Sequence, residues 1–342
     1  MSARPYARRP SLWHPVAIGA VVLLLALASG AARGGAVHEV AAVPPMGTLL
    51  PAAGGLGPTE LAIPVRPAVV AGPMTRTQYH EFQARCTITD HRRDDPIVFP
   101  GLAGASHDHT FFGNDTTTAT SKMALLGRGG TSCLAPGDLS AYWMPTLYAG
   151  ATTVDPDHTI VYYKSGVADY RTVQPFPVGF RMVVGDAHAT GPAEFTRGYW
   201  SCSAARRTPE IVQTCSRAKG ERVYARLKSP SCWDGVHLDT PDHKSHLVYP
   251  VRGACPAGHP VALPMLEFKV PYEVGGTTET LRLSSGAGYT FHYDFVNLWD
   301  PATQAALVTQ CINGGLQCDP RGYDQHHPER GRVLDERYLL QR

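Results

Sequence analysis

Short runs rich in Val, Ile, Thr, Tyr and Phe recur between Gly and Pro punctuation through most of the chain. Such runs predict strands. They are Ala141–Leu147, Thr159–Lys164, Val178–Val184, Val261–Val270, Glu279–Leu283 and Gly288–Leu298. The last alternates most cleanly: Tyr289, Phe291, Tyr293 and Phe295 take one face, and Thr290, His292, Asp294 and Val296 the other. One helix is well signalled, with Asp300 as N-cap, Pro301 at the first helical position and Asn313-Gly314 beyond its end. A second short helix is predicted to begin at Thr208-Pro209-Glu210. Many short strands with long connections predict a mainly β chain. Its single antiparallel sandwich-like domain, with one or two short helices, spans residues 75–320.

The N-terminal segment follows a different pattern. Arg4, Arg8, Arg9 and His14 precede an uncharged apolar run from Val16 to Ala28, and small residues follow. Residues 1–32 therefore read as a secretory signal peptide or an uncleaved N-terminal membrane anchor, and both imply export. Residues 33–74 are Pro, Gly and Ala-rich with almost no charge, which suits an extended tether. Residues 321–342 read as a charged, peripheral tail.

Composition narrows the partners. Charged residues make up 18% of the chain and the formal net charge is +2. That balance argues against nucleic acid as a partner, because its binders carry a clustered basic excess. All eight cysteines follow the tether, which predicts a disulfide-braced domain. Zinc is the rival reading, but no CxxC pair supports it. Short loops make Cys202–Cys215 and Cys311–Cys318 local candidates.

Polar chemistry concentrates in four otherwise apolar or aromatic segments. In Ser106–Asn114, an extended backbone would set His107 and His109 on one face, about 6.5 Å apart, where they could share a metal ion. Asp234, Asp239, Asp242, His243 and His246 follow Cys232 in a loop-like stretch. His292 and Asp294 share a strand face, where a carboxylate can orient an imidazole or complete a metal shell. Asp138–Pro145 contributes Tyr142 and Trp143, which are either core or a stacking surface for sugar rings. There is no P-loop, no GxGxxG after a strand, no GxSxG elbow and no HExxH, so a nucleotide cofactor and a zincin mechanism are not expected.

These same segments carry a resemblance. SHDHTFFGN, SAYWMPTLY, CWDGVHLDTPDHKSH, CPAGHP and HYDFVNLWD resemble, in order, the motifs of a secreted family of actinobacteria and fungi, the domain of unknown function DUF1996. The resemblance spans about residues 90–315 and implies an exported, cysteine-bridged domain without an assigned activity. His237 stands where Asn is expected, so it is left out of the site.

The leading expectation is an exported cell-envelope hydrolase or lyase acting on polysaccharide. His107 and His109, with His243 or His246, would hold a divalent metal ion or the anionic part of a substrate. His292 and Asp294 would form an acid–base pair, with Asp234 assisting. The alternatives are a non-catalytic glycan-binding module and a structural envelope protein.

Overall fold

The computed structural model describes residues 80–135, 137–202, 207–216, 219–274 and 279–330. The segments read as signal or anchor and as tether, and the end of the tail, lie outside these residues. Among the described residues no helix is long and apolar enough to cross a membrane.

In chain order the strands are β1 (Glu81–Cys86), β2 (Ile88–Arg92), β3 (His109–Gly113), β4 (Ala141–Pro145), β5 (Leu147–Ala149), β6 (Thr152–Val154), β7 (Thr159–Ser165) and β8 (Arg181–Gly185). They continue as β9 (Gly198–Cys202), β10 (Val223–Lys228), β11 (Cys232–Trp233), β12 (Leu247–Val248), β13 (Val261–Ala262), β14 (Pro264–Tyr272), β15 (Leu281–Leu283) and β16 (His292–Val296). Two antiparallel five-stranded sheets dominate. The first has the order β1-β7-β14-β10-β9 and the second β2-β3-β4-β16-β8. Two three-stranded sheets, β12-β11-β13 and β15-β5-β6, accompany them.

Aromatic residues from the inner faces join the two large sheets. Phe268 of the first stacks on Tyr293 of the second, with ring centres 3.8 Å apart. The Tyr142 hydroxyl lies 2.7 Å from that of Tyr163, and Tyr142 also bonds the buried Asp138 carboxyl at 2.8 Å. Trp299 donates its indole N–H to Tyr163 at 3.0 Å. Each buried polar tip thus finds a partner, as close packing in a low-dielectric core requires.

The outer face of the first sheet carries a second kind of order. Lys164, Glu81 and Glu267 are all buried there. The Lys164 ammonium lies 3.3 Å from Glu81 and 2.9 Å from Glu267, and Arg226 reaches Glu267 at 2.9 Å.

The outer face of the second sheet is covered by chain from its own connections. Ile97, Phe111, Leu126, Trp143, Val296 and Leu298 form a small apolar cluster there. The edge strand β8 is protected by the 238–243 loop: Arg181 and Val183 donate their backbone N–H groups to the carbonyls of Leu238 and His243.

Four disulfides brace the domain: Cys86–Cys133, Cys202–Cys215, Cys232–Cys255 and Cys311–Cys318. The two local pairings expected from loop length are among them. The helix Pro301–Leu307 starts where expected, and Asp300 caps it by accepting from the Thr303 N–H at 2.8 Å.

Several boundaries differ from expectation. No helix forms at Thr208, whose backbone exchanges two hydrogen bonds with Trp200 as an isolated bridge beside β9. β8 begins only at Arg181, because Gly179 turns the chain at φ +82°. Tyr289 and Thr290 lie in a 3-10 turn, so the alternation operates only from His292 onward. The first residues of the segment read as a tail are tied to the domain, since the Gln325 N–H donates to the Gln317 carbonyl at 2.8 Å.

Candidate metal centre

Register sets up the site. β3 and β16 both pair with β4, so they flank it on either side. On the outer face one rung of the sheet runs Phe111, Trp143, Asp294, Val183. On the same face, the next outward-facing rung holds His109 against Pro145, with His292 paired to Gly185. Strands two apart are separated by about 9–10 Å. The two imidazoles must therefore lean over Pro145 to meet. His107, in the connection just before β3, joins them. The ring centres of His107 and His109 are 4.3 Å apart, those of His107 and His292 4.9 Å, and those of His109 and His292 5.7 Å. One nitrogen from each of the three lies within 4.8 Å of the others. A tetrahedral ion with metal–nitrogen bonds of about 2.0–2.1 Å would set three imidazole centres about 5 Å apart. The observed spacings, 4.3 to 5.7 Å, bracket that value.

The tautomers are set by the backbone. The Asp94 carbonyl accepts from His109 Nδ1 and the Thr290 carbonyl from His292 Nδ1, both at 2.9 Å. Each ring is thereby left with a bare Nε2 lone pair. The Nε2 atoms of His107 and His109 are buried and have no hydrogen-bond partner. Asp94 is held in turn, its carboxylate accepting from the N–H groups of Gly104 and Ala119. Gly185 is required beside His292. Its φ is +92°, and a Cβ there would come within 2.6 Å of the Phe291 carbonyl.

Burial keeps all three rings neutral. It lowers His107 to about 4 against the opposing pull of the Asp108 carboxylate, with smaller help from His188 and Arg93. Burial likewise lowers His292 to about 3, with His107 next in importance. His109 is fully buried and titrates well below the ordinary histidine range, mainly through burial and then through His107 and His292. Neutral imidazole is the form that binds a metal.

Two carboxyl groups lie against the triad. Asp294 is fully buried, and neither of its oxygens has a hydrogen-bond partner. Asp95, Asp294 and His109 each bring one polar atom within 4.8 Å of the others. Burial, then repulsion from Asp95, pushes the Asp294 carboxyl well above its ordinary range. Burial also raises Asp95, but its Oδ1 accepts from the N–H groups of Ile97 and Val98 at 3.0 and 2.8 Å. Of the two, Asp294 is raised the further and has no hydrogen-bond donor to hold its charged form, so it is the carboxyl that favours the protonated state. The buried Trp143 indole N–H also favours the charged form of Asp95.

The other expected site residues lie elsewhere. His246 is buried with both ring nitrogens engaged, Nε2 by the Arg181 carbonyl at 2.8 Å and Nδ1 by the Thr240 hydroxyl at 2.9 Å. It holds the loop onto β8 and offers no lone pair to a metal. His243 bonds Asp239 through Nδ1 at 2.8 Å and reaches the centre only through its charge, felt at Asp95. Asp234 closes an Asx turn by accepting from the N–H groups of Val236 and His237, and it pairs with the His237 ring at 2.6 Å. None of the three joins the triad, because each is engaged by partners in its own loop or on β8. His292, expected as an acid–base partner of Asp294, instead stands as the third imidazole of the cluster. Tyr142 and Trp143 are fully buried, so this segment is core and presents no stacking surface.

Asp95 was not anticipated. It sits in the irregular connection between β2 and β3, where no periodicity marks it. Its one signal is the acidic pair Asp94-Asp95 opening directly into the apolar Ile97-Val98-Phe99.

A family profile described as "Domain of unknown function (DUF1996)" matches residues 95–299. The chain belongs to the DUF1996 family. The matched span opens on Asp95 and closes on Trp299, so His107, His109, His292 and Asp294 all fall inside the DUF1996 domain. The strands β1 and β2 and the Cys311–Cys318 bridge lie outside it. Comparison with curated proteins and with solved structures gives no match.

Proposed function

We propose that this DUF1996 chain is an exported, metal-dependent enzyme of the cell envelope that cleaves polysaccharide by hydrolysis or elimination. One observation carries the reading: three neutral imidazoles converge with bare lone pairs beside a buried, protonated carboxyl that has no partner. A structural role would have given those atoms partners within the chain, because burying them unpaired is costly. His107, His109 and His292 would hold a divalent ion such as zinc, for which three histidines and one open position form a catalytic arrangement. The ion would supply an activated water or polarise a substrate oxygen. Asp294 is placed to deliver a proton and Asp95 to take it back. His107 is the least buried of the three rings and marks the side of access. Four disulfides support export.

The test is metal analysis of the purified protein, followed by His107→Ala and His292→Ala. Both variants should lose metal and polysaccharide cleavage while keeping nearly the melting temperature of the metal-free parent. Unfolding of both, or a parent that takes up no divalent ion, would sink the reading.

A further inference from the structure

We infer that the substrate of this centre is an acidic glycan, and that Arg93 and Lys244 hold its anionic group from two sides of the histidine triad. The inference rests on the metal-centre reading above and names a substrate class for it.

Two cations are tied to backbone next to the ligands. Arg93 donates Nε to the Ser106 carbonyl at 3.1 Å, immediately before His107. Lys244 donates Nζ to the Gly185 carbonyl at 2.8 Å, and Gly185 pairs with His292. Both side chains are exposed, so neither is consumed by packing. One hydrogen bond fixes each head group and leaves further N–H donors available.

The acidic groups nearby are already engaged. Asp108 accepts from the Tyr148 hydroxyl at 3.0 Å, and Asp186 accepts from the His188 N–H at 2.8 Å. The ligand set supplies a further argument. Three neutral imidazoles cancel none of a divalent ion's charge, and the carboxylates nearest them, Asp108 beside His107 and Asp186 near His292, are hydrogen-bonded away from the triad. An oxyanion at the open position balances the ion, whereas a neutral sugar hydroxyl does not. Carboxylate on a uronate and phosphate on a sugar share this chemistry.

Calorimetric titration of the zinc-loaded protein distinguishes the sources. The probes are an oligogalacturonate, a glycerol-phosphate oligomer and a neutral cello-oligosaccharide of matched length. At least one acidic oligomer should bind about tenfold more tightly than the neutral one, and salt should erode the difference. The tighter of the two acids identifies the group. Arg93→Ala and Lys244→Ala should each weaken acidic binding about five- to tenfold without changing zinc content. Equal binding of neutral and acidic oligomers, or no effect of either variant, overturns the inference. Zinc uptake without acidic preference defeats this inference alone. Acidic preference that persists without zinc uptake defeats the metal reading and leaves the Arg93 and Lys244 assignment standing.

Discussion

On the outer face of the first sheet, Lys164 lies between Glu81 and Glu267, and Arg226 and Lys228 close the group at 2.9 and 4.0 Å from Glu267. Burial alone would raise Glu267, but Lys164, Lys228 and Arg226 outweigh it and hold the carboxylate below its ordinary range. On the outer face of the second sheet, His109, His292 and Asp294 are as deeply placed and His107 is half-buried, and burial outweighs every opposing charge and hydrogen bond in their titration. Both faces bear the desolvation cost of polar groups. At Glu267 the first recovers it within the chain, and in the second the Nε2 atoms of His107 and His109 and both Asp294 oxygens have no hydrogen-bond partner. Titratable residues alone therefore do not mark the site. The convergence of several unpartnered ones does.

The largest expected effect lies on the paired face. Glu267→Ala leaves Lys164 and Arg226 short of their shared partner, and should lower unfolding free energy by about 3–5 kcal/mol in denaturant titrations. A loss below 1 kcal/mol would mean that the cluster is solvated in solution and that the contrast between the faces fails. Zinc probes the unpaired face. At a free concentration about 100 times its dissociation constant it should stabilise the protein by about 2.7 kcal/mol. His109→Ala should abolish that gain. A gain that survives the substitution places the ion elsewhere.

Asp294→Val tests whether the unpartnered carboxyl is a cost to folding. The metal-free variant should be more stable by about 1–3 kcal/mol, and cleavage should be lost. Destabilisation instead would show that Asp294 has a structural partner. The smallest effect expected is an absence of change. Protons compete with metal for Nε2, and His107 and His292 titrate at about 4 and about 3 in the folded chain. Zinc affinity should therefore stay level between about pH 7 and 5, where exposed histidines with a pKa near 6.5 would already be losing it. It should fall only below about pH 4. A decline starting near 6.5 would mean that the three rings are solvated.

Much of the frame was legible in the chain. Period-two alternation after Phe291 put His292 and Asp294 on one face and Tyr293 and Phe295 on the other, and the structure keeps that division, with both aromatics in the core. Asp300 and Pro301 marked a helix start through local capping chemistry, which depends on adjacent residues only. The short Cys202–Cys215 and Cys311–Cys318 loops were readable for the same reason. The Thr208 helix was misread because a backbone bond to Trp200, out of view in the sequence, outcompeted a local helix signal. His246 and Asp234 carried the right side chains for chemistry, but His246 is spent on the Arg181 carbonyl and the Thr240 hydroxyl, and Asp234 on the amides of its own turn.

The sequence by itself determined the strand faces, the export-type cysteine framework, the family and the residue types available for catalysis, because each follows from neighbours along the chain. Only the tertiary structure decided which of the histidines meet. That outcome depends on β4 lying between β3 and β16, on Pro145 separating His109 from His292, and on a connection that folds Asp95 over Asp294. Burial, which sets the protonation of every group in the centre, is a property of that packing and of no single segment.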